Sequence, residues 1–479
     1  MTGHPDWYFT KPWEPVKVRR GDALGFRAGA DYFADTLAPG LSNATVDARW
    51  ISLLSWCLKW SDRAWQKAGG CDLSSRKGQQ ARYAWLQPLE LLWVDRALES
   101  GQCTGERVTS QLPGRRSIER WRNNGSLVDG EGEFRFGMND MQFARYRQTG
   151  AYGAYRVVFR TVDDLTMMHD GWTPGPLAHQ LAERVNNSLA RDMRLTEKDF
   201  EKTRWGRWQN QEARYWADMK SGRWKSWRSE PVHGFLPTSK ESIAKLEESE
   251  LLSTALFAAG TAFGRRRRAT AVVLAGAKAD SHAGLVDVLA NSDNLAKALP
   301  TPGVLDTLPA FTRFADAAMF VMRCLWNMND EKAHLINKTA EKLQFGLELM
   351  HDAARAWLKL RVGVRNAFPH EAVVTQLAQA IHSARTLPGQ LSALLSHHQT
   401  QGGGLRWFRE QDSKIVRLAT DAGGTPSDYR FRLFPLSRLA AQCGVARMNN
   451  VFDALGQYEF DDLSENNDEE SSDENGDDQ

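Results

Sequence analysis

The sequence predicts a mainly α-helical protein, with multi-helix N-terminal and central regions, a small α+β unit near the C-terminus and a disordered acidic tail. Through most of the 479 residues, apolar side chains recur at the three- and four-residue spacing of a helix. Strict alternation of apolar and polar residues, which is typical of a strand, is confined to a short stretch after residue 402. The final residues are almost wholly acidic and polar, a composition that is typical of disorder.

Residues 1–165 are predicted to form a helical domain rich in Trp and Arg. Its second helix has a favourable N-cap in Asn43 and is terminated by Gly69 and Gly70. Pro88 marks a kink in the third helix, and Gly150 separates the last two segments. The predicted helices and helix-like segments cover residues 28–37, 44–68, 79–99, 139–148 and 152–161.

Residues 166–240 are predicted to be a Trp-rich helical segment that ends in a linker. One helix is expected over 176–189, and another begins at Thr196 and ends at Gly222. Trp205, Trp208 and Trp216 recur on one side of the second helix, and aromatic residues at helical spacing are typical of a core-facing stripe.

Residues 241–400 are predicted to form a helical domain dominated by Ala, Leu and Met. Its clearest pattern runs from Ile336 to Arg361, where apolar residues follow a three-four spacing. Near its end, His397 and His398 precede a run of three glycines. Because no carboxylate or Cys lies at ligand spacing, the two histidines indicate a capped helix end rather than a metal or general-base site.

Residues 401–456 are predicted to form the small α+β unit, and residues 457–479 the acidic tail. Strands are expected over 405–409 and 414–419. Residues 429–434 alternate strictly, so a third strand would place Arg430 and Arg432 on the face opposite its apolar side chains, where they are candidate phosphate contacts. Pro435 then opens a helix that runs to Cys443.

The net charge of +2 conceals an asymmetry. Residues 459–479 include 11 acidic residues and no Lys or Arg, so the rest of the chain has 61 basic residues against 48 acidic ones. An excess of positive charge predicts affinity for polyanions, whereas the acidic tail predicts self-shielding or a basic partner.

Cysteine usage and hydropathy predict a cytoplasmic protein. The five cysteines are scattered and none forms a Cys-x-x-Cys pair, which favours a reducing compartment and argues against a zinc site. The first residues lack the apolar core of a signal peptide, and no apolar run has the roughly 18 residues that a membrane helix needs. Neither a metal nor a cofactor is indicated.

Tryptophan beside positive charge is the main sign of nucleic-acid binding. The chain has 18 Trp, and a flat aromatic side chain beside a cation suits stacking on bases and pairing with phosphates. The loop expected after Gly222 carries such side chains: Arg223, Trp224, Lys225, Trp227 and Arg228.

Two arginine-rich segments are further candidates. The candidate side chains are Arg265, Arg266, Arg267 and Arg268 in one segment, and Arg115, Arg116 and Arg120 in the other. The four consecutive arginines spread around a helix and suit non-specific contacts with phosphate. In the other segment, Ser117 starts a short helix after the first two arginines, and a helix start beside Arg suits an anion. The alternative for both segments is a solvated helix end or loop.

No complete catalytic motif is present. Walker A, His-Glu-x-x-His, Gly-x-Ser-x-Gly and phospholipase-type His-x-Lys patterns are all missing from the sequence. Acidic clusters at residues 197–199 and 247–250 fall on predicted solvated helix faces. A cryptic nuclease stays open, because metal-dependent nucleases have weak sequence signatures.

Three segments of the first third resemble a family of bacterial proteins that are encoded in anti-phage defence islands, near helicases and phospholipase-D-like proteins. They are residues 30–50 (ADYFADTLAPGLSNATVDARW), 114–121 (GRRSIERW) and 146–156 (YRQTGAYGAYR). The resemblance implies a bacterial cytosolic accessory protein that works beside DNA-processing enzymes. It implies no catalytic residues.

The sequence therefore predicts a non-catalytic accessory component of an anti-phage defence complex. This component would bind the backbone of a nucleic acid, with DNA as the expected polymer, without reading its sequence. Its expected protein partner is a helicase, ATPase or nuclease of the same system. The alternatives are a scaffold that engages such partners through an aromatic surface and the acidic tail, and a cryptic nuclease.

Overall fold

Helices make up most of this protein. The structure, a computed structural model, describes residues 22–67, 69–70, 72–99, 113–115, 119, 146–192, 196–200, 248–328, 334–401, 407–417, 429–448 and 451–455. Within these ranges, named strands are confined to residues 334–335 and 408–417, where they form one small sheet. The predicted fold class is confirmed: the chain is mainly helical, with a small antiparallel sheet that lies mostly near the C-terminus.

The helices of the first part of the chain overlap the predicted segments, although the segment predicted over 139–148 is described only from residue 146 and the helix predicted from Thr196 to Gly222 only as far as residue 200. They are α1 (Arg27–Leu37), α2 (Arg49–Lys67), α3 (Arg76–Glu99), α4 (Ala151–Thr161), α5 (Pro176–Asp192) and α6 (Glu197–Phe200). Gly150 is the N-cap residue of α4, which confirms the predicted break at that position. Thr196 precedes α6 as predicted, and its hydroxyl accepts from the Asp199 N–H at 3.2 Å.

The rest of the described chain is also largely helical. Its helices are α7 (Ser249–Phe257), α8 (Ala262–Gly276), α9 (His282–Ala290), α10 (Asp293–Ala298), α11 (Leu308–Asn327), α12 (Ile336–Lys342), α13 (Gln344–Lys359), α14 (Val362–Arg365), α15 (Glu371–Ser383), α16 (Leu387–Gln401), α17 (Leu433–Gln442) and α18 (Val451–Ala454). Its strands are β1 (His334–Leu335), β2 (Phe408–Gln411) and β3 (Lys414–Arg417).

Helix α2 lies at the centre of the N-terminal helices and packs against α3, α4 and α5. Its apolar side chains from Trp50 to Leu58 are buried, and so is Trp65. Arg49 and Trp60 are buried as well. The first half of α2 is therefore enclosed on all sides, and this explains why its sequence is so rich in Trp.

The predicted cap of α2 at Asn43 is wrong, because the helix begins at Arg49. Contacts with α4 hold the preceding segment in an irregular conformation. The Ser42 hydroxyl donates to the Ala154 carbonyl at 2.7 Å, and the Tyr155 hydroxyl accepts from the Asp47 N–H at 2.8 Å. Tertiary hydrogen bonds thus satisfy backbone groups that an earlier helix start would have used.

The central helices bury the three-four pattern that the sequence predicts. Helix α13 packs against α11 and α15, and α16 packs against α12 and α15. The apolar residues of the pattern are all buried, although the helix is interrupted at Leu343: Ile336, Ala340, Leu343, Leu347, Met350, Ala354 and Trp357. Arg361, the last member of the pattern, is exposed because α13 ends before it.

The small sheet is antiparallel in the order β1-β3-β2. The two strands predicted near Gln411 are confirmed as a hairpin, in which Phe408 pairs with Arg417 and Gln411 pairs with Lys414. The third strand, β1, pairs His334 with Ile415. A two-residue strand from the helical region carries no periodicity, so the sequence did not predict it.

The third strand predicted over residues 429–434 is wrong. Phe431 and Arg432 have φ of 51° and 58°, a left-handed turn, and α17 begins at Leu433. Pro435 lies in the first turn of that helix, where its missing N–H costs nothing. Phe431 is drawn into an aromatic cluster, with its ring centroid 5.6 Å from that of Phe33.

Buried residues from Ala23 to Leu455 form one hydrophobic cluster, so α1 and the C-terminal helices share a core with the central helices. His397 and His398 help to anchor the chain before α1. They contact the carbonyl oxygens of Leu24 and Ala23, each at 2.8 Å. His398 also accepts from the Trp407 N–H through Nε2, which fixes the neutral tautomer with the proton on Nδ1. Both histidines are therefore structural.

Candidate polyanion-binding site

The four consecutive arginines lie in the first turns of α8. The hydroxyl of Thr261 caps this helix by accepting from the Gly264 N–H at 3.0 Å. Successive residues of a helix are rotated by about 100°, so the four side chains point in different directions. The structure separates them into one buried, one half-buried and two exposed residues.

Arg267 does not belong to the binding surface that the sequence predicted. It is 1% exposed, its Nε donates to the Leu256 carbonyl at 2.6 Å, and its Nη1 donates to the Pro39 carbonyl at 2.9 Å. Burial, with a smaller effect of neighbouring Arg266, lowers the pKa of this guanidinium to about 10. The side chain joins the ends of α1 and α7 to α8 and is unavailable to a ligand.

Arg266 lies at the edge of the exposed surface. Its guanidinium carbon is 5.0 Å from the centroid of the Phe263 ring, and its Nη1 reaches the Asp35 carbonyl at 3.5 Å. The side chain is half-buried, so part of its charge is directed at the protein itself.

Arg265 and Arg268 form what we call the α8 arginine face. Both are exposed, and neither makes an ion pair within the described part of the chain. Their spacing of three residues places them together on the side opposite Arg267, next to Val272, which is 53% exposed. Between Glu250 and Asp280 the sequence contains no Asp or Glu, and the acids nearest in space contact the neighbouring arginines: Asp163 acts on Arg267, and Asp35 lies beside Arg266.

The two candidate phosphate contacts near the C-terminus, Arg430 and Arg432, lie in the left-handed turn that replaces the predicted third strand. Arg432 is paired with Asp31 at 3.5 Å and with Asp35, so carboxylates of α1 neutralise its charge. Burial raises the pKa of Asp31, although Arg432 and Arg27 oppose this effect. Arg430 is half-buried in the same turn. The structure therefore gives Arg432 a structural partner and separates it from any strand surface.

Arg115 is helical, whereas the sequence placed it before the helix. Its Nε donates to the Glu119 carboxylate at 2.7 Å, so this arginine also has a local acidic partner. The remaining predicted contacts lie outside the described residues: Arg116, Arg120, Arg223, Trp224, Lys225, Trp227 and Arg228.

Tryptophan is a core residue wherever the structure describes it. Eight of these side chains are buried, and Trp85 and Trp326 are half-buried: the buried ones are Trp50, Trp56, Trp60, Trp65, Trp93, Trp172, Trp357 and Trp407. The half-buried Trp326 carries the guanidinium of Arg417, whose carbon lies 4.0 Å from the ring centroid. Among the described residues, Trp beside Arg thus marks packing.

The acidic clusters do not assemble a nuclease-like centre in the described ranges. Glu248, which was predicted to be solvated, is fully buried and forms an ion pair with Arg49. A buried carboxylate is retained here because a buried guanidinium faces it. In the described part of the chain, His, Cys, Asp and Glu side chains form no group of three or more that is placed to hold a metal ion.

A second cationic cluster, on α4, was missed by the sequence reasoning. Tyr152, Arg156 and Arg160 follow one another at four-residue intervals and share one helix face, which packs beside Trp172. The four-residue interval between these aromatic and basic residues indicates a shared helix face. It was missed because the arginines are separated in the sequence and do not form a run.

Comparison of the chain with models of known protein families, with curated protein sequences and with solved structures gave no match. The resemblance to the defence-island family therefore stays a prediction. The described helices include none with the length and apolar character needed to cross a membrane.

Proposed function

We propose that the protein is a non-catalytic accessory component that binds the phosphate backbone of a nucleic acid through the α8 arginine face. The observation that carries this proposal is the exposure of Arg265 and Arg268 without a carboxylate partner in the described ranges. Both lie near the N-terminus of α8, where the helix dipole is positive. Two cations at this end are unfavourable for the folded protein alone and favourable once an anion is bound.

The geometry is suited to backbone contact and not to sequence readout. Two side chains on adjacent turns of one helix match a series of phosphates, whereas base recognition requires donors and acceptors directed at base edges. Neutralising phosphates releases condensed counterions, so the affinity would fall steeply with salt. DNA is the expected polymer, because the resemblance to the defence-island family implies a cytosolic protein that works beside DNA-processing enzymes.

The test is DNA binding by the full chain and by a variant in which Arg265 and Arg268 are both replaced by Gln. Fluorescence anisotropy with labelled duplexes of two unrelated sequences would be measured over a range of salt concentrations. The variant is expected to bind both duplexes more weakly by the same factor. The slope of log affinity against log salt should fall by about 0.9 for each phosphate that is no longer neutralised, or roughly 2 in total.

A matched control replaces Arg361 and Arg385 by Gln. These two arginines are also exposed, and they lie outside α8 and outside the helices that pack against it. The control removes the same charge and is expected to leave the salt slope unchanged. An equal loss of binding in both double variants would show that total charge, and not the α8 arginine face, attracts the DNA.

The proposed protein partner is a helicase, ATPase or nuclease of the same defence system. An exposed apolar pair is consistent with a protein contact: Phe345 and Leu349, one turn apart on α13, are 72% and 46% exposed. Co-purification of the tagged chain with the products of neighbouring genes tests this partner, and recovery of the chain alone would contradict it.

A further inference from the structure

The cationic cluster on α4 differs from the α8 arginine face because it is largely enclosed. We define the α4 cluster as Tyr152, Arg156, Arg160 and Trp172. The Tyr152 and Trp172 ring centroids are 5.3 Å apart, and the Arg156 guanidinium carbon lies 4.5 Å from the centroid of the Trp172 ring. Tyr152 and Trp172 are buried, whereas Arg156 and Arg160 are half-buried and connect the cluster to solvent.

Positive charge exceeds negative charge around this cluster. The charge of Arg82 affects the Tyr152 hydroxyl, and the charge of Arg147 affects Arg156. With Arg156 and Arg160 themselves, four guanidinium groups therefore lie in this region. Burial, with smaller effects of the charges on Arg160 and Arg147, lowers the pKa of Arg156 to about 9. Mutual repulsion of these groups would be relieved by an anion between them.

The nearest carboxylates are already engaged. Asp170 accepts from the Trp172 N–H at 2.6 Å and from the Thr173 N–H and hydroxyl at 2.9 and 2.6 Å. Asp62 is the ion-pair partner of Arg82, at 3.4 Å. The hydrogen bonds of both acids therefore lie in the loop and the core, although the charge of Asp170 still acts on Tyr152 and Arg156.

Buried hydrogen-bond donors remain unused in the α4 cluster. Within the described ranges, the Tyr152 hydroxyl, the Trp172 Nε1 and the Arg160 Nε are buried atoms that have no hydrogen-bond partner. Tyr152 is fully buried and Trp172 is 1% exposed. A buried donor without an acceptor is unfavourable, because it has lost its hydrogen bonds to water. All three groups can donate a hydrogen bond to an acceptor oxygen.

The neighbouring loop positions Arg160 against α4. Asp164, Met168 and His169 adopt left-handed backbone conformations, as does Gly171 with φ of 74°. A Cβ on Gly171 would lie 3.0 Å from the Cγ of Arg160, so a larger residue would require the Arg160 side chain to shift and would be strained at this φ. Strained backbone held beside a charged side chain is typical of functional sites.

We propose that the α4 cluster binds a phosphate group, with the Tyr152 hydroxyl and the Arg160 guanidinium donating to its oxygens and Arg156 balancing its charge. A phosphate has several acceptor oxygens, which can accept hydrogen bonds from the Tyr152 hydroxyl and the Arg160 guanidinium. Its negative charge, of up to two, can be balanced by the two arginines. The site is separate from the α8 arginine face, so the proposal does not depend on DNA binding.

The test is isothermal titration calorimetry of the full chain with inorganic phosphate and with a nucleoside monophosphate. Tyr152→Phe removes one hydroxyl that bonds no described residue, and Arg160→Gln removes one charge; each is expected to weaken phosphate binding about tenfold. Tyr155→Phe is the matched control, because the Tyr155 hydroxyl bonds the Asp47 backbone and lies outside the cluster. Phosphate affinity should be unchanged in that control and in the double variant of Arg265 and Arg268.

Two results would overturn the proposal: no heat of binding with millimolar phosphate, or equal affinity in wild type, Tyr152→Phe and Arg160→Gln. Urea denaturation checks that the variants fold. Tyr152→Phe is expected to unfold at the wild-type midpoint or above it, because the Tyr152 hydroxyl is buried without a hydrogen-bond partner among the described residues. Tighter binding of the nucleoside monophosphate supports the site with a nucleotide-type ligand. Equal binding of the two probes supports it with free phosphate as the ligand.

Discussion

The same substitution at two adjacent arginines of α8 should have different effects: one variant should lose stability and the other should lose DNA binding. Arg267→Met removes a buried guanidinium that donates to the Leu256 and Pro39 carbonyls, whereas Arg268→Met removes an exposed one. Methionine keeps the aliphatic volume of arginine but cannot donate, so Arg267→Met leaves two carbonyl oxygens at helix ends without their donor. Arg267→Met should therefore reduce the free energy of unfolding, and Arg268→Met should reduce the affinity for DNA.

The magnitude follows from two opposing contributions. Hydrogen bonds from a charged donor contribute about 1.5–3 kcal/mol each, so losing two costs roughly 3–6 kcal/mol. The lowering of the Arg267 pKa to about 10 corresponds to an unfavourable burial of charge of roughly 3 kcal/mol, which methionine removes. The net loss of unfolding free energy for Arg267→Met is therefore about 1.5 kcal/mol, the midpoint of the difference between these two contributions. For Arg268→Met it should stay within about 0.5 kcal/mol.

Urea denaturation followed by far-ultraviolet circular dichroism measures the first effect, and DNA anisotropy at low salt measures the second. Arg268→Met is expected to weaken DNA binding and to lower its salt slope by about 0.9. Without urea, Arg267→Met is folded, and the salt slope of its DNA binding should equal that of the wild type. The reasoning is refuted if Arg267→Met leaves the unfolding midpoint unchanged, or if Arg268→Met shifts it as much as Arg267→Met does.

Two further predictions concern Glu90 and the acidic tail. Glu90 is fully buried, accepts from Tyr83 and the Tyr152 N–H, and has a pKa raised by burial to about 7. Because the folded state holds this proton more tightly, the contribution of Glu90 to stability is complete below its ordinary pKa of 4.5 and is lost as pH rises through 7. Glu90→Gln should therefore flatten the pH dependence of the unfolding free energy, measured by urea denaturation between pH 5 and 8, by roughly 3 kcal/mol, and a profile parallel to wild type would contradict this. Deleting residues 459–479 should strengthen DNA binding if the tail shields the body; unchanged DNA binding with loss of a co-purifying partner would instead assign the tail to protein docking.

Helical periodicity predicted most of the fold because it reports on burial over long stretches. The apolar positions from Ile336 to Trp357 are buried as predicted, although the pattern did not show the break at Leu343. Local signals failed where distant residues decide the conformation. Asn43 is a good N-cap by type, but hydrogen bonds to Ala154 and Tyr155 hold the chain around it in another shape.

Residues 429–434 show why alternation alone does not define a strand. Phe431 is buried against Phe33, and Arg432 reaches Asp31, so the alternation of inward and outward side chains is present. It arises in a left-handed turn, because the described residues place no strand beside this segment to pair with its backbone. The alternation predicted the burial correctly and the backbone geometry wrongly.

Arginine density in the sequence overstates the charge that the folded protein presents. Within the described residues, Arg82 bonds the Leu58 and Trp172 carbonyls, Arg267 bonds the Leu256 and Pro39 carbonyls, and Arg438 bonds the Val46 carbonyl and the Asp47 carboxylate. These three side chains stabilise helix and loop ends, so each lowers the cationic excess available to a ligand. A run of four arginines accordingly yields two exposed cations, whereas three arginines dispersed along α4 and the residues before it share one enclosed region. Affinity for anions therefore depends on whether the arginines of a helix lie on its exposed or its buried face. The two proposed sites differ for that reason: the α8 arginine face is exposed and suits a polymer, whereas the α4 cluster is enclosed and suits a single phosphate group.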